Sequence, residues 1–174
     1  MAVREIVMVG NPILKTQAAP IDNFDDPLLH NLIKDLVDTM KFHSGAGLAA
    51  PQINASKCII AYGFTFNPRY PKENPIPETV LINPEIIEFS TETAEYYEGC
   101  LSFASLRGLV LRSKHIVYKA MLPSGKEICK EASGFEARII QHETDHLNGT
   151  LFPSRMKDIN QLAVFEELQK QNLL

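Results

Sequence analysis

The segment 142–146, which reads His-Glu-Thr-Asp-His, constrains the fold of this chain more than any other stretch. Four residues advance an α-helix by little more than one turn, so His142 and His146 project from one face of a helix and can reach the same metal ion. Glu143 lies beside that ion rather than on it, where its carboxylate can take a proton from water at the metal. The segment therefore predicts a helix that carries a hydrolytic metal site.

The alternative is an exposed helix on which the two histidines are simply solvated. Ile139, Ile140 and Leu147 flank the segment, and a wholly solvated helix face would not normally have such apolar neighbours. Gly149, just beyond the last turn, is typical of a glycine that ends a helix. These neighbours favour a packed helix over a solvated one.

Composition argues against several other functions. With 174 residues, the chain is expected to form a single domain, residues 1–174, with a core of its own. The 17 Lys and Arg against 21 Asp and Glu give a net charge of −4, which does not favour DNA or other nucleic-acid binding. No apolar run approaches the roughly 20 residues of a membrane span, and no signal-peptide pattern is present. We therefore expect neither DNA nor a membrane as a partner.

The cysteines indicate a reducing compartment. Their number is three, which argues against a disulfide framework. Cys58 and Cys129 lie in apolar, strand-like contexts and are interpreted as structural. The prediction is a cytoplasmic protein, most simply a bacterial one, although a processed organellar protein would show the same features.

The pattern along the chain indicates an α+β fold with an N-terminal and a C-terminal helix. Asp26 and Pro27 are typical of a helix start, and apolar residues recur at helical spacing from there to about residue 43. A proline-rich surface loop is expected at 63–78. Further helices are predicted at 135–148 and 159–171. Strands are predicted at 57–62, 79–82, 86–90, 109–112, 115–122 and 127–132, the last two joined by a hairpin turn.

A catalytic metal site of this kind uses three protein ligands, so the two histidines need a third. One class of metallopeptidase places a further His where this chain has Phe152, so that pattern fails. Another class uses a downstream Glu, and Glu166 or Glu167 stands at a tolerable distance, but in a charged segment where solvated carboxylates are expected. The third candidate is Cys100, whose neighbouring glycine lets backbone approach closely, although a lone cysteine is more often a small buried apolar residue.

Three segments occur in order along the chain: Gly-Ala-Gly-Leu-Ala-Ala-Pro-Gln at 45–52, Glu-Gly-Cys-Leu-Ser at 98–102 and Gln-His-Glu-Thr-Asp-His-Leu-Asn-Gly at 141–149. Together they resemble the peptide deformylase family, and the resemblance covers nearly the whole chain. The proline-rich loop and Gly-Phe-Glu-Ala-Arg at 134–138 are more similar to the branch that includes the organellar enzymes. The family's fold, twisted antiparallel sheet around a central metal-binding helix, agrees with the α+β prediction.

The resemblance implies removal of the formyl group from the initiator formylmethionine of nascent polypeptides, with release of formate. It implies that Cys100, His142 and His146 bind the metal and that Glu143 is the catalytic acid and base. It also implies Fe²⁺ as the native ion, with Zn²⁺, Ni²⁺ or Co²⁺ able to substitute. Docking on the ribosome near the exit tunnel is a further expectation by analogy, although the Gln and Glu content of the terminal segment does not favour contact with RNA.

The resemblance assigns further residues to the substrate. Gln52 and the backbone N–H of Leu101 match donors to the oxyanion that forms during hydrolysis. Gly47 matches a residue whose backbone binds substrate, and Gly45 and Gly99 match positions that shape the cleft. We expect the slot at residues 45–47 to accept formyl and exclude bulkier acyl groups. Candidates for lining the methionine pocket are Tyr96, Tyr97, Phe135 and Arg138.

Departures from the family pattern fall around the cleft. Phe103 and Ala104 stand where an aliphatic residue and proline are usual, and Ala46 replaces a branched aliphatic residue. They bear on pocket shape rather than on the reaction. Two other interpretations compete with a deformylase: a zinc metallopeptidase that cuts internal peptide bonds, and a non-enzymatic protein that binds nascent chains or ribosomes.

Overall fold

Two antiparallel sheets and three α-helices make up the structure, a computed structural model that describes residues 2–174. The helices are α1 (Pro27–Phe42), α2 (Gly134–Leu147) and α3 (Phe165–Lys170). The strands are β1 (Gly47–Ala49), β2 (Ile59–Phe64), β3 (Ile76–Phe89), β4 (Thr93–Gly99), β5 (Leu106–Ser113), β6 (His115–Met121), β7 (Glu127–Ser133) and β8 (Leu162–Val164). This architecture confirms the predicted α+β class.

The larger sheet has the strand order β1-β2-β3-β6-β7 and the smaller one the order β4-β5-β8. Helix α2 contacts strands of both sheets, so it lies where the two sheets meet. Within residues 2–174, no helix is long and apolar enough to cross a bilayer.

The larger sheet is packed between α1 and α2. Along β2, Ile60 and Tyr62 join the core cluster that contains the apolar residues of α2. Their neighbours Ile59 and Ala61 join the cluster that contains the buried face of α1. Successive side chains of a strand point to opposite faces, so this alternation places one helix on each side of the sheet.

Helix α1 begins where the sequence predicts. The side chain of Asp26 accepts a hydrogen bond from the backbone N–H of Leu28 at 2.9 Å, and Pro27 occupies the first helical position. The helix ends at Phe42, and Ser44 adopts a positive φ of 52° immediately afterwards. The chain continues from here into the glycine-containing segment 45–47, where β1 begins.

The two strands predicted at 79–82 and 86–90 are one strand, β3. The interruption that separates them in the sequence is an irregularity in the pairing with β6, where the register shifts between Ile82 and Glu85. Asn83 has a positive φ of 49° at this point, and its side chain hydrogen-bonds both backbone groups of Ile21 at 2.9 and 2.8 Å. The strand therefore bends here without ending.

The helix predicted at 159–171 is wrong over its first half. Ile159–Gln161 form a short 3₁₀ helix, residues 162–164 form β8, which pairs with β5, and Phe165–Lys170 alone are α-helical. The backbone N–H of Phe165 donates to Ser105 O at 2.8 Å, which continues the attachment to the loop before β5. Residues 162–164 therefore pair with the edge of β5 in the smaller sheet. This pairing outweighs the helical pattern of their sequence.

Candidate active site

Three metal-binding side chains meet at the junction of the two sheets. Cys100 follows β4 directly, and His142 and His146 lie one turn apart on α2. Their donor atoms all lie within 4.8 Å of one another, and Cys100 Sγ is 3.2 Å from His146 Nε2. One thiolate and two imidazoles are a ligand set that suits a zinc or iron ion. The residues present therefore fit a divalent metal.

Electrostatics at this cluster favour the form of cysteine that binds metal. Burial by itself raises the pKa of the Cys100 thiol, but the charge of His146 and hydrogen bonds from both histidines hold that pKa well below its ordinary value. His142 shows the reciprocal effect, because burial is outweighed by its bonds to Cys100 and Glu98, which raise the pKa of the imidazole. The site thus favours a thiolate, the protonation state in which cysteine coordinates metals.

A buried network orients the first histidine. Glu98 accepts a hydrogen bond from His142 Nδ1 at 2.9 Å and two from Arg112 at 2.8 and 2.9 Å. Burial raises the pKa of Glu98, but these bonds outweigh it and lower the pKa to about 2. Arg112 also donates to Asp145 at 2.6 Å, and Asp145 accepts from Arg155 at 2.6 Å. With Nδ1 engaged, His142 presents Nε2 to the metal site.

The Glu143 side chain is buried against Gly47 of β1. A Cβ atom on Gly47 would lie 2.5 Å from Glu143 Oε1 and 2.7 Å from Ile139 Cγ2, so only glycine fits there. Glu143 Oε2 is buried with no hydrogen-bond partner among residues 2–174. Burial raises the pKa of this carboxyl to about 7, against the opposing charges of the two histidines. A carboxylate without a protein partner, beside a metal cluster, is free to exchange protons with a bound molecule.

The side-chain amide nitrogen of Gln52 lies close to Cys100. Its side-chain oxygen accepts from the backbone N–H of Ala49 at 2.9 Å, which fixes the orientation of the amide. Its Nε2 donates to Cys100 Sγ at 3.3 Å and to Ser102 Oγ at 3.2 Å. The donor group therefore lies beside the metal cluster.

A cleft of about 490 Å³, partly open to solvent, adjoins these groups. It brings together the predicted site residues other than His146, which completes the ligand trio: Gly45, Gly47, Gln52, Gly99, Cys100, Leu101, His142 and Glu143. Of the alternative third ligands, Phe152 is packed against Phe103 with ring centroids 4.8 Å apart, and Glu166 and Glu167 are exposed on the first turn of α3. The structure places Cys100, and neither glutamate, beside the histidines.

The predicted methionine-pocket residues divide into two groups. Phe135 and Arg138 line the cleft, whereas Tyr96 does not line it and stacks on the Arg138 guanidinium at 4.3 Å. The Tyr97 hydroxyl bonds to the side chain of Gln161 at 3.1 Å, outside the cleft. These two tyrosines therefore do not line this cleft.

Sequence reasoning gave no site role to four residues of the cleft, Arg69, Tyr70, Glu98 and Ile139, and misjudged others. Arg69 and Tyr70 come from the proline-rich loop, and the Tyr70 ring lies 4.8 Å from that of Phe135. Nothing in the sequence distinguishes these two residues, because the same loop also contains Phe64 and Phe66. Ala46 lines the cleft, but Phe103 packs into the core behind it. Cys129, interpreted as structural, is exposed on the edge strand β7.

The arrangement defines a class of protein, a hydrolase with a metal ion held by one cysteine and two histidines beside a carboxylate. A sequence model of the family described as polypeptide deformylase matches residues 3–162. Peptide deformylase 1 of Bordetella pertussis is 44% identical over 166 residues, which cover 95% of this chain and 94% of that protein. The chain belongs to the peptide deformylase family.

Solved structures agree. A class I type b peptide deformylase from Acinetobacter baumannii, crystallised with Met-Ala-Ser, matches with a TM-score of 0.86 and 39% identity over 89% of this chain and 99% of that chain. A plant peptide deformylase matches with a TM-score of 0.81 and 32% identity over 98% of this chain and 88% of that one. The identification from three sequence segments is confirmed. The protein is an enzyme that removes the N-formyl group from initiator methionine, and it uses a divalent metal ion.

Proposed function

We propose that Glu143, Gln52 and Leu101 carry out the deformylation of nascent polypeptides in the cleft described above. The observation that carries this assignment is the buried carboxylate of Glu143, which has an oxygen without a partner among residues 2–174 and lies beside the three metal-binding side chains. The Glu143 carboxylate and the Gln52 amide both line the cleft that the formyl group of a peptide would enter. This pairing suits the hydrolysis of an amide.

Cys100, His142 and His146 would hold the ion, which we propose to be Fe²⁺ in the native enzyme, with Zn²⁺, Ni²⁺ or Co²⁺ able to replace it. Held by these residues, such an ion would supply a Lewis acid and would make water in the site more acidic. The mixed thiolate and imidazole set supports both zinc and iron, and the family resemblance favours iron.

Proton transfer is assigned to Glu143. Its carboxylate takes the proton of the attacking water and returns it to the leaving amine, so that formate and a free amino terminus result. The Gln52 amide, held by Ala49, and the N–H of Leu101 donate to the oxygen that becomes negative. The loss of one such donor typically costs about 3–4 kcal/mol of transition-state stabilisation.

The glycines support a selectivity of the cleft for formyl. A Cβ atom on Gly45 would lie 3.2 Å from both Gly47 O and a Leu101 methyl carbon, so a side chain at this position would be crowded. Gly99 backs onto the guanidinium of Arg107, which leaves no space for a side chain there. We propose that Gly45, Gly47 and Gly99 together admit formyl and exclude acetyl.

The test is formate release from formyl-Met-Ala-Ser beside acetate release from acetyl-Met-Ala-Ser, with protein prepared without oxygen and loaded with Fe²⁺ or Ni²⁺. We expect rapid turnover of the formyl peptide only, and a loss of about 10²–10⁴-fold in the Glu143→Gln variant. Glu92→Gln, an exposed carboxylate paired with Lys114, is the matched control and should retain activity. Equal turnover of the two peptides would contradict the selectivity, and full activity of Glu143→Gln would remove the role given to that residue.

The cellular setting follows from the substrate. Formylated amino termini arise during translation, so we propose a cytoplasmic enzyme that docks on the ribosome near the exit tunnel and forms one catalytic domain over residues 1–174. One of the relatives named above is a bacterial enzyme whose alignment covers 95% of this chain. Co-sedimentation of the protein with ribosomes, against a run with ribosomes omitted, tests the docking.

A further inference from the structure

A network of charged side chains connects one histidine of the metal-binding cluster to the surface of the molecule. Hydrogen bonds of 2.6–2.9 Å join its members in the order His142, Glu98, Arg112, Asp145 and Arg155. Glu98, Arg112 and Asp145 are buried, whereas half of the Arg155 side chain is exposed. Arg155 is therefore the member through which the network meets solvent.

Arg155 holds the Asp145 carboxylate by both of its oxygens. Nη2 of Arg155 donates to Oδ1 at 2.6 Å and Nε donates to Oδ2 at 3.1 Å, a pair of bonds that fixes the plane of the carboxylate. Arg112 Nη1 donates to the same Oδ2 at 2.6 Å. Of the side-chain hydrogen bonds that Asp145 accepts from residues 2–174, Arg155 thus supplies two and Arg112 one. The orientation of Oδ2 toward Arg112 therefore depends on Arg155.

The buried guanidinium of Arg112 is shared between two carboxylates. Its Nε and Nη2 donate to Glu98 at 2.8 and 2.9 Å, while its Nη1 donates to Asp145. A planar, rigid guanidinium cannot keep all of these bonds when one acceptor moves, so a shift of Asp145 disturbs the pair with Glu98. Arg155 also supplies the second positive charge for two buried negative ones, which relieves the competition for Arg112. Glu98 in turn accepts from His142 Nδ1 at 2.9 Å.

The backbone holds Arg155 in place independently of these ion pairs. The residue ends a 3₁₀ helix that begins at Phe152, and Phe152 is buried in the same apolar cluster as Cys100. Met156, the next residue, forms a β-bridge with Val110 of β5. The guanidinium thus reaches the network from a segment that is anchored on both sides of it. A substitution at this half-exposed position therefore changes the network and leaves the segment in place.

We infer that Arg155 is a positioning residue, which acts through the charged network to set the orientation of His142 at the metal site. Its bonds to Asp145 fix one end of the network, and the imidazole is bonded at the other end. The inference rests on the proposed function, because the orientation of His142 matters to the ion only where His142 is a ligand.

The test measures the affinity of the metal-free protein for Zn²⁺ and for Ni²⁺ by competition with a chelator. Loss of the partner next to a metal ligand typically weakens binding by about 10–100-fold, so Arg155→Gln, at the far end of the network, should weaken it by about 3–10-fold. Arg155→Lys keeps the charge but loses the planar fork, and its affinity should lie between those of Arg155→Gln and the wild type. Lys157→Gln is the matched control, because Lys157 is 68% exposed and lies 3.9 Å from Glu95, outside the network. It should bind both metals as the wild type does.

Two further measurements separate positioning from a merely structural role. The visible absorption of the Co²⁺-loaded protein reports the geometry around the ion, and it should change in Arg155→Gln but not in Lys157→Gln. Because Arg155 acts through Glu98, Arg155→Gln should weaken metal binding little further when it is added to Glu98→Gln.

The outcomes distinguish this inference from the proposed function. Wild-type metal affinity in Arg155→Gln, even with a lower Tm of the metal-free protein, would overturn the inference and leave the ligand set intact. An equal loss of affinity with and without Glu98→Gln would overturn the route through Glu98. Failure of the wild-type protein to bind Zn²⁺ or Ni²⁺ would instead overturn the proposed ligand set, and the inference with it.

Discussion

Gly47 and Glu143 are in such close contact that one added methyl group would displace the carboxylate to which we assign proton transfer. The Cβ of Gly47→Ala would lie 2.5 Å from Glu143 Oε1 and 2.7 Å from Ile139 Cγ2, and both neighbours would have to move. A displacement near 1 Å at a catalytic group can cost about 10²-fold in rate. We therefore expect kcat/KM for formyl-Met-Ala-Ser to fall by about 10²-fold or more, while overpacking costs about 1–3 kcal/mol of stability.

Gly45→Ala is the matched comparison, because its added Cβ would meet neighbours at 3.2–3.3 Å, a separation that small shifts can relieve. Its activity should fall clearly less than that of Gly47→Ala. Formate release and urea denaturation of both variants give the comparison. Wild-type activity in Gly47→Ala would mean that the close approach of β1 does not set the position of Glu143.

Glu98 is expected to control the affinity for the metal without touching it. Replacing it by Gln removes the charge that accepts from His142 and Arg112, and outer partners of this kind typically change metal affinity by about 10–100-fold. Competition with a chelator should show weaker binding of Zn²⁺ or Ni²⁺ in Glu98→Gln by about that factor. Glu92→Gln, which breaks only an exposed pair with Lys114, should bind the metal as the wild type does. Unchanged affinity in Glu98→Gln would show that His142 is oriented by the helix alone.

What a sequence reveals about a residue depends on how local its role is. His142 and His146 could be assigned from spacing, because one helical turn places them together. Cys100 and Gln52, whose side chains meet across 48 positions of sequence, could be placed only through the resemblance to a family. The ion pairs of Arg112 have no local signature, since they join one strand to both another strand and α2.

At the scale of elements, the same distinction separates the helices from the strands. The start of α1 follows from Asp26 and Pro27, the end of α2 from Gly149, and the helical interiors from 3.6-residue periodicity, which are properties of the local chain. Strand β1 has three residues and β8 also has three, and each exists because a neighbouring strand edge accepts it. Pairing with a distant partner overrides local preference, so these strands could not be predicted from their own residues.

The C-terminal segment allows this correction to be tested through stability. Leu168 on α3 is 2% exposed, whereas Ile159, at the start of the helix predicted from sequence, is 62% exposed. Leu168→Ala should lower the free energy of unfolding by about 2–4 kcal/mol, because it leaves a cavity under α3. Ile159→Ala should change it by no more than about 0.5 kcal/mol. Urea denaturation measures both, and similar losses in the two variants would favour one continuous helix over strand β8 followed by α3.

At the scale of the whole molecule, the active site is a meeting of separate parts. Cys100 directly follows β4 of the smaller sheet, and the two histidines lie on α2. Gln52 follows β1, the edge strand of the larger sheet. None of these parts contains a complete site. An ion bound by all three ligands therefore ties the smaller sheet to α2, and α2 in turn packs on the larger sheet.

Removal of the metal should consequently weaken the entire fold. An ion at a free concentration one hundred times its Kd contributes about 2.7 kcal/mol, and a chain of this size gains about 2–4 °C in Tm for each kcal/mol. We expect a chelator to lower the Tm by about 5–10 °C, and added Zn²⁺ or Ni²⁺ to restore it. Cys100→Ser should have the lower Tm from the start and respond little to either addition, whereas Cys129→Ser, at the exposed cysteine, should respond as the wild type does. An identical Tm with and without metal in the wild type would mean that the sheets and α2 hold the ligands together unaided, and that the ion serves the reaction alone.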